Sequence, residues 1–200
     1  MTTFFQDFIS RIDITPGHKS LLYKVSAATV LAVGSLCTPW ETTRIIGSTI
    51  LTGIGYGVTN ELTSSWGCPK HFDKKHISDS SNLRNQPIQG LNSSLNAVVS
   101  GLFDYWRVSS VAGIVLAIVA RASLPVLKIK AAQITPYLVI GSAVVTLIVQ
   151  IGNRILRKHT GNTVACNIQH ALSYGILVTG DILLITAILT TRIGLFRLIK

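Results

Sequence analysis

The sequence predicts an all-α integral membrane helical bundle, a four-helix core with one extra N-terminal hydrophobic helix. Three observations lead there. Only 13% of the 200 residues are charged while 48% are apolar, whereas a soluble domain carries about a quarter charged residues to cover its water-facing surface. The charges are segregated into short stretches between long apolar runs, which is how a bilayer sorts a sequence. The runs themselves approach or exceed the ~20 residues that a helix needs to cross hydrocarbon. The mean hydropathy of +0.48 agrees.

Taken in order, Met1 to Ile12 places Phe4, Phe5, Phe8, Ile9 and Ile12 on one helical face, as in a helix lying in a membrane interface. Pro16-Gly17 breaks it, and residues 1–20 form an interfacial amphipathic segment ahead of a single transmembrane domain over 21–200. The expected spans are about 21–38, 45–66, 93–120, 134–153 and 164–191. The first carries Lys24 near its start, which either snorkels to the headgroups or marks a helix that does not cross. The second is rich in small residues, and Gly53 and Gly57 form a GxxxG that flattens one face for another helix backbone. A polar loop follows over 67–90. The third span is long, and the fourth opens with Pro136-Tyr137. Residues 121–133 and 153–162 read as basic connectors.

The net charge of +10 fits Lys and Arg collecting beside anionic headgroups. No Arg-rich run or RNA-binding motif is present, so no nucleic-acid partner is expected. Lys and Arg fall on both sides of a five-span topology, so the charge bias does not fix orientation. The three cysteines, Cys37, Cys68 and Cys166, form no CxxC and no disulfide framework. Residues 1–20 hold Asp7, Arg11, Asp13 and Lys19 and no apolar core of signal-peptide type.

Polar residues at membrane depth each need a reason, since a charge there costs ~2.5–3.5 kcal/mol even on lenient scales. On the fifth span Asn167, His170, Tyr174 and Asp181 share one helical face. Interhelical hydrogen bonding accounts for Asn167 and Tyr174. Asp181 needs a cation or a proton, so the stripe is read either as glue or as a site. On the third span Asp104 and Arg107 can pair at i, i+3. Asn60-Glu61 closes the second span, either solvated at the interface or inside it. In the loop, Cys68, His71, Asp73 and His76 offer a partial zinc spacing without a matching second half. Glu61, His71, His76 and His170 are the weak metal candidates. No G-x-S-x-G, P-loop, HExxH or dinucleotide fingerprint occurs, so no catalytic residue and no cofactor are predicted.

Tyr56-Gly57-Val58-Thr59-Asn60-Glu61, then Cys68-Pro69-Lys70-His71-Phe72 with His76, resembles a family of small, uncharacterised bacterial multi-pass membrane proteins. So do Trp106, Ala120-Arg121-Ala122 with Pro125, and His170-Ala171-Leu172-Ser173-Tyr174. Lys70-His71 departs from the family's Glu-Tyr, and Tyr105-Trp106 from its Trp pair. The resemblance covers about residues 45–192. It implies a four-span core in a bacterial inner membrane with the Cys68 loop on the non-cytoplasmic side, and it implies no activity. The polar residues it matches are Asn60, Glu61, His71, His76, His170 and Tyr174, and Asn60, Glu61, His170 and Tyr174 together with Asp181 of the stripe form the candidate polar cluster.

Three functions remain open. One is a structural or accessory protein that binds lipid, a membrane-protein partner or its own copies. Another is a proton-coupled transporter or channel subunit using the His and carboxylate cluster, since His titrates near neutral pH. The last is a membrane metal-binding protein or enzyme.

Overall fold

The structure, a computed structural model, describes residues 16–67, 69–72, 91–121, 128–160 and 162–199. Among these residues all regular structure is helical. Helix α1 runs over Pro16–Leu36, α2 over Glu41–Gly67, α3 over Ser93–Arg121, α4 over Ala131–Thr160 and α5 over Asn162–Ile199, with a 3-10 turn at Pro69–Phe72. The amphipathic segment expected over Met1–Ile12 lies outside the described residues, as does most of the polar loop.

Local chemistry sets the helix starts. Pro16 is the first residue of α1, where a fixed φ suits the helix and the missing N–H is no loss. The helix therefore begins ahead of Leu21, and Pro16 opens it where the sequence reading had it as a break. Asn92 caps α3, its Oδ1 accepting from the Leu95 amide at 2.8 Å. At α4 the Gln133 side chain reaches back to accept from the Lys130 amide at 2.9 Å, half of a capping box. The next orphan donor, the Ala131 amide, is met from α2, because Glu41 Oε2 accepts from it at 2.7 Å.

Residues 153–160, read from the sequence as part of a basic connector, are the last turns of α4. Arg154, Arg157 and Lys158 signal charge, but nothing in that stretch breaks a helix, and the next glycine is Gly161.

Helix α2 is the hub and touches every other helix. Its main partner is α3, which runs antiparallel to it with backbones in contact. A Cβ on Gly101 would sit 2.6 Å from the Gly57 carbonyl oxygen and 2.7 Å from the Val58 Cα. One on Gly57 would meet the Tyr105 ring, one on Gly53 the Ser109 hydroxyl, and one on Gly113 the Ile46 backbone at 3.1 Å. Gly47 serves in the same way against α1, at Ala32 and Ser35. Beyond this seam an apolar cluster joins α2, α3, α4 and α5 through Ile45, Leu116, Ala120, Ile134, Leu138 and Ile188.

Two helices among the described residues are long and apolar enough to cross a membrane, Ser93–Arg121 and, within α4, Ala131–Leu156. The apolar stretches Tyr23–Leu36 and Gly175–Thr191 are shorter. Only 11% of the most apolar part of α4 is buried inside the molecule. Its outer face carries Val139, Ile140, Val144, Leu147, Ile148 and Ile151, all exposed.

Glu41 ties this helix to the hub and also pairs with Arg44 at 3.1 Å. The Ala131 hydrogen bond, aided by Arg44, holds the Glu41 carboxyl below its ordinary value of 4.5. A depressed carboxylate stabilises the fold above its unfolded pKa and loses that contribution as pH falls through the folded one. Glu41→Ala is expected to lower stability by about 1 kcal/mol at neutral pH, as other cap deletions do. Glu41→Gln is expected to flatten the parent's decline in the acid range. Thermal unfolding in detergent from neutral to acid pH checks both.

Candidate functional site

The polar residues inside the bundle form two levels. A tyrosine layer separates them.

That layer joins three helices. Tyr56 of α2 and Tyr105 of α3 meet edge to face, with centroids 5.5 Å apart and planes at 72°, the arrangement that aromatic quadrupoles favour. Both hydroxyls reach one residue of α5. Tyr56 donates to the Ser173 carbonyl at 3.1 Å, and Tyr105 shares a 2.9 Å hydrogen bond with the Ser173 hydroxyl. Gly57 makes room for the Tyr105 ring, so the glycine seam and the tyrosine layer are one device.

The first level lies one turn further along α2. Asn60 is fully buried and Glu61 is 1% exposed. Ser64 donates to the Asn60 carbonyl at 2.7 Å. Neither side-chain atom of Asn60 has a hydrogen-bond partner among the described residues. Across from them on α3, buried Asp104 accepts from Ser100 at 3.2 Å. Asn96 donates to the Phe72 carbonyl at 3.4 Å, which sets the 3-10 turn against this end of the bundle. The Asp104–Arg107 pair anticipated from i, i+3 spacing is not formed. Arg107 is exposed and lies over the Trp106 ring at 5.6 Å, while Asp104 turns inward.

The second level is a cavity of about 120 Å³ among α2, α3, α4 and α5. Half-buried Asp181 lines it together with Thr49, Thr52, Ser109 and Ser142. Asp181 has no hydrogen-bond or ion-pair partner among the described residues. The Ser109 hydroxyl, on a residue 2% exposed, has none either.

The residues proposed from sequence therefore divide. Asn60 and Glu61 lie together on one side of the tyrosine layer, and Asp181 lies on the other. His170 and Tyr174 belong to the α5 turn that carries Ser173, which is held against Tyr56, but their side chains lie outside the described residues. The same holds for the side chains of Asn167 and His71, and for Cys68, Asp73 and His76 as whole residues. Among the described residues no group of three or more His, Cys, Asp or Glu could hold a metal ion. Gly53 and Gly57 lie in the α2–α3 contact. The Tyr105–Ser173 bond had no sequence signal, since it joins residues 68 apart.

The sequence matches no protein-family model, and comparison with curated proteins and with solved structures gives no significant match.

Proposed function

We propose that the chain is a multi-pass membrane protein of structural or partner-binding type, with α2 to α5 as its core. The observation that carries this is the outer face of α4, where a long helix presents Ile140, Leu147, Ile148, Ile151 and Ile155 with almost no protein cover. A contiguous exposed apolar surface of this kind needs lipid or another protein against it. Asn60, Glu61, Asn96 and Asp104 are meanwhile buried inside the bundle, whereas a soluble bundle keeps such groups on its outer face. The Tyr56, Tyr105 and Ser173 hydrogen bonds join α2, α3 and α5, as expected of an assembly held by small residues and interhelical hydrogen bonds.

The test is extraction. The protein is expected to stay with membranes through alkaline carbonate and high salt and to leave only in detergent. Release by carbonate alone would overturn the proposal. Crosslinking in the membrane then separates copies of the chain from other partners.

A second reading, a proton-coupled transporter or channel subunit, is favoured by the unpartnered Asp181 carboxyl beside a cavity. Buried ionisable groups at such depth often mark ion or proton paths. Proton flux in liposomes that is lost in Asp181→Asn would support it, and equal flux in both would remove it.

A further inference from the structure

We propose that the cavity beside Asp181 binds one monovalent alkali cation, held by the Asp181 carboxylate and the hydroxyl oxygens around it.

The argument begins with the donor set. Among the described residues, the polar side chains lining the cavity are Asp181, Thr49, Thr52, Ser109, Ser142, Tyr56 and Tyr137, with no Lys, Arg or His. It is an all-oxygen lining with one carboxylate, the chemistry of a hard cation. Calcium and magnesium sites generally recruit more than one carboxylate or a phosphate, whereas a single Asp balances a single positive charge.

The hydroxyl protons are largely committed elsewhere. Thr49 donates to the Ile45 carbonyl at 2.8 Å, Ser142 to the Val139 carbonyl at 2.8 Å, and Tyr56 to the Ser173 carbonyl at 3.1 Å. Their oxygens keep lone pairs that can face a cation. Independently, Ser109 is 2% exposed and its hydroxyl has no partner among the described residues. A buried hydroxyl left unpaired is costly, and a ligand in the cavity would satisfy it. The cavity is roomy enough, since about 120 Å³ at about 30 Å³ per water in the liquid holds an ion with a few waters. Bound there, the ion would neutralise α5 and tie it to α2, α3 and α4.

This inference rests on the membrane reading for the low dielectric around Asp181, but its test reads cation binding and not membrane attachment. The purified protein in detergent is unfolded thermally at constant ionic strength while choline is replaced by Na⁺ or K⁺. The expected result is a saturable rise in the melting temperature with an alkali cation, and one bound ²²Na⁺ per chain if Na⁺ is preferred. Asp181→Asn is expected to abolish the dependence. Ser109→Ala is expected to raise the half-saturating concentration about tenfold, the effect of losing one contact to a charged partner. Should Asp181→Asn fail to fold, Gly141→Val serves, because a Cβ at Gly141 meets no atom within 4 Å and the side chain would fill the void. Equal melting in choline and alkali salts would overturn the proposal. So would cation dependence that survives Asp181→Asn or Gly141→Val, or a response to pH alone, which would mean that the carboxyl simply takes a proton.

Discussion

Gly101→Leu is expected to disrupt the bundle, with a loss of about 3 kcal/mol or more, the upper end of overpacking costs. The reason is the identity of what the new side chain would strike. The three nearest atoms to a Cβ there are the Gly57 carbonyl oxygen and carbon and the Val58 Cα, at 2.6, 2.7 and 2.7 Å. All are backbone, so no rotamer change relieves the clash. The two helices must part, and as they part Tyr105 is drawn from Tyr56 and Ser173. Gly175→Ala is the matched control. Its Cβ would meet nothing within 4 Å, and alanine gains roughly 0.5–1 kcal/mol over glycine inside a helix. Thermal unfolding in detergent compares them. A loss below about 1 kcal/mol for Gly101→Leu would contradict the close α2–α3 contact.

Asn60→Leu is expected to stabilise the protein by about 1–3 kcal/mol, the usual penalty of burying an unsatisfied amide. Asn60 is fully buried, and neither side-chain atom has a partner among the described residues. Leucine is close in volume and has nothing to satisfy. Stability given up at polar positions commonly serves activity or binding, so the stabilised variant is also expected to lose partner capture. Unfolding of parent and variant, with partner capture by crosslinking, reads both. Destabilisation by Asn60→Leu would mean that the amide already has a structural role.

Much of the helical layout was legible, and for identifiable reasons. Apolar runs mark α2, α3 and α4, and the spacing of Gly53 and Gly57 marks a contact face, because both signals are periodic along one helix. Gly101 carried no such signal. No second glycine lies within a turn of it on α3, and only the facing backbone of α2 gives it meaning. Glu41 was equally silent, since its hydrogen bond to Ala131 spans 90 residues. Charge misled twice. Arg154, Arg157 and Lys158 suggested a connector where a helix simply continues. Asp104 and Arg107 share a face by spacing, yet packing buries one and leaves the other exposed. Of the polar stripe read on α5, Asp181 is the member whose side chain is described. The ends of the stripe, Asn167 and Asp181, are 14 residues apart, about 21 Å along a helix at 1.5 Å per residue. Ser173, which meets the tyrosine layer, lies between them in the sequence.

The central place of α2 has a consequence for how the chain is made. Synthesis runs from the N-terminus, and domains tend to assemble in that order. Helix α2 emerges ahead of α3, α4 and α5, so the scaffold is already in place when they arrive in turn. The glycine seam can close on α3 before the later helices exist, and Glu41 waits as a docking point for the first residue of α4. A lesion in α2 would therefore act during biosynthesis, by leaving every later helix without a template, as well as in the finished molecule.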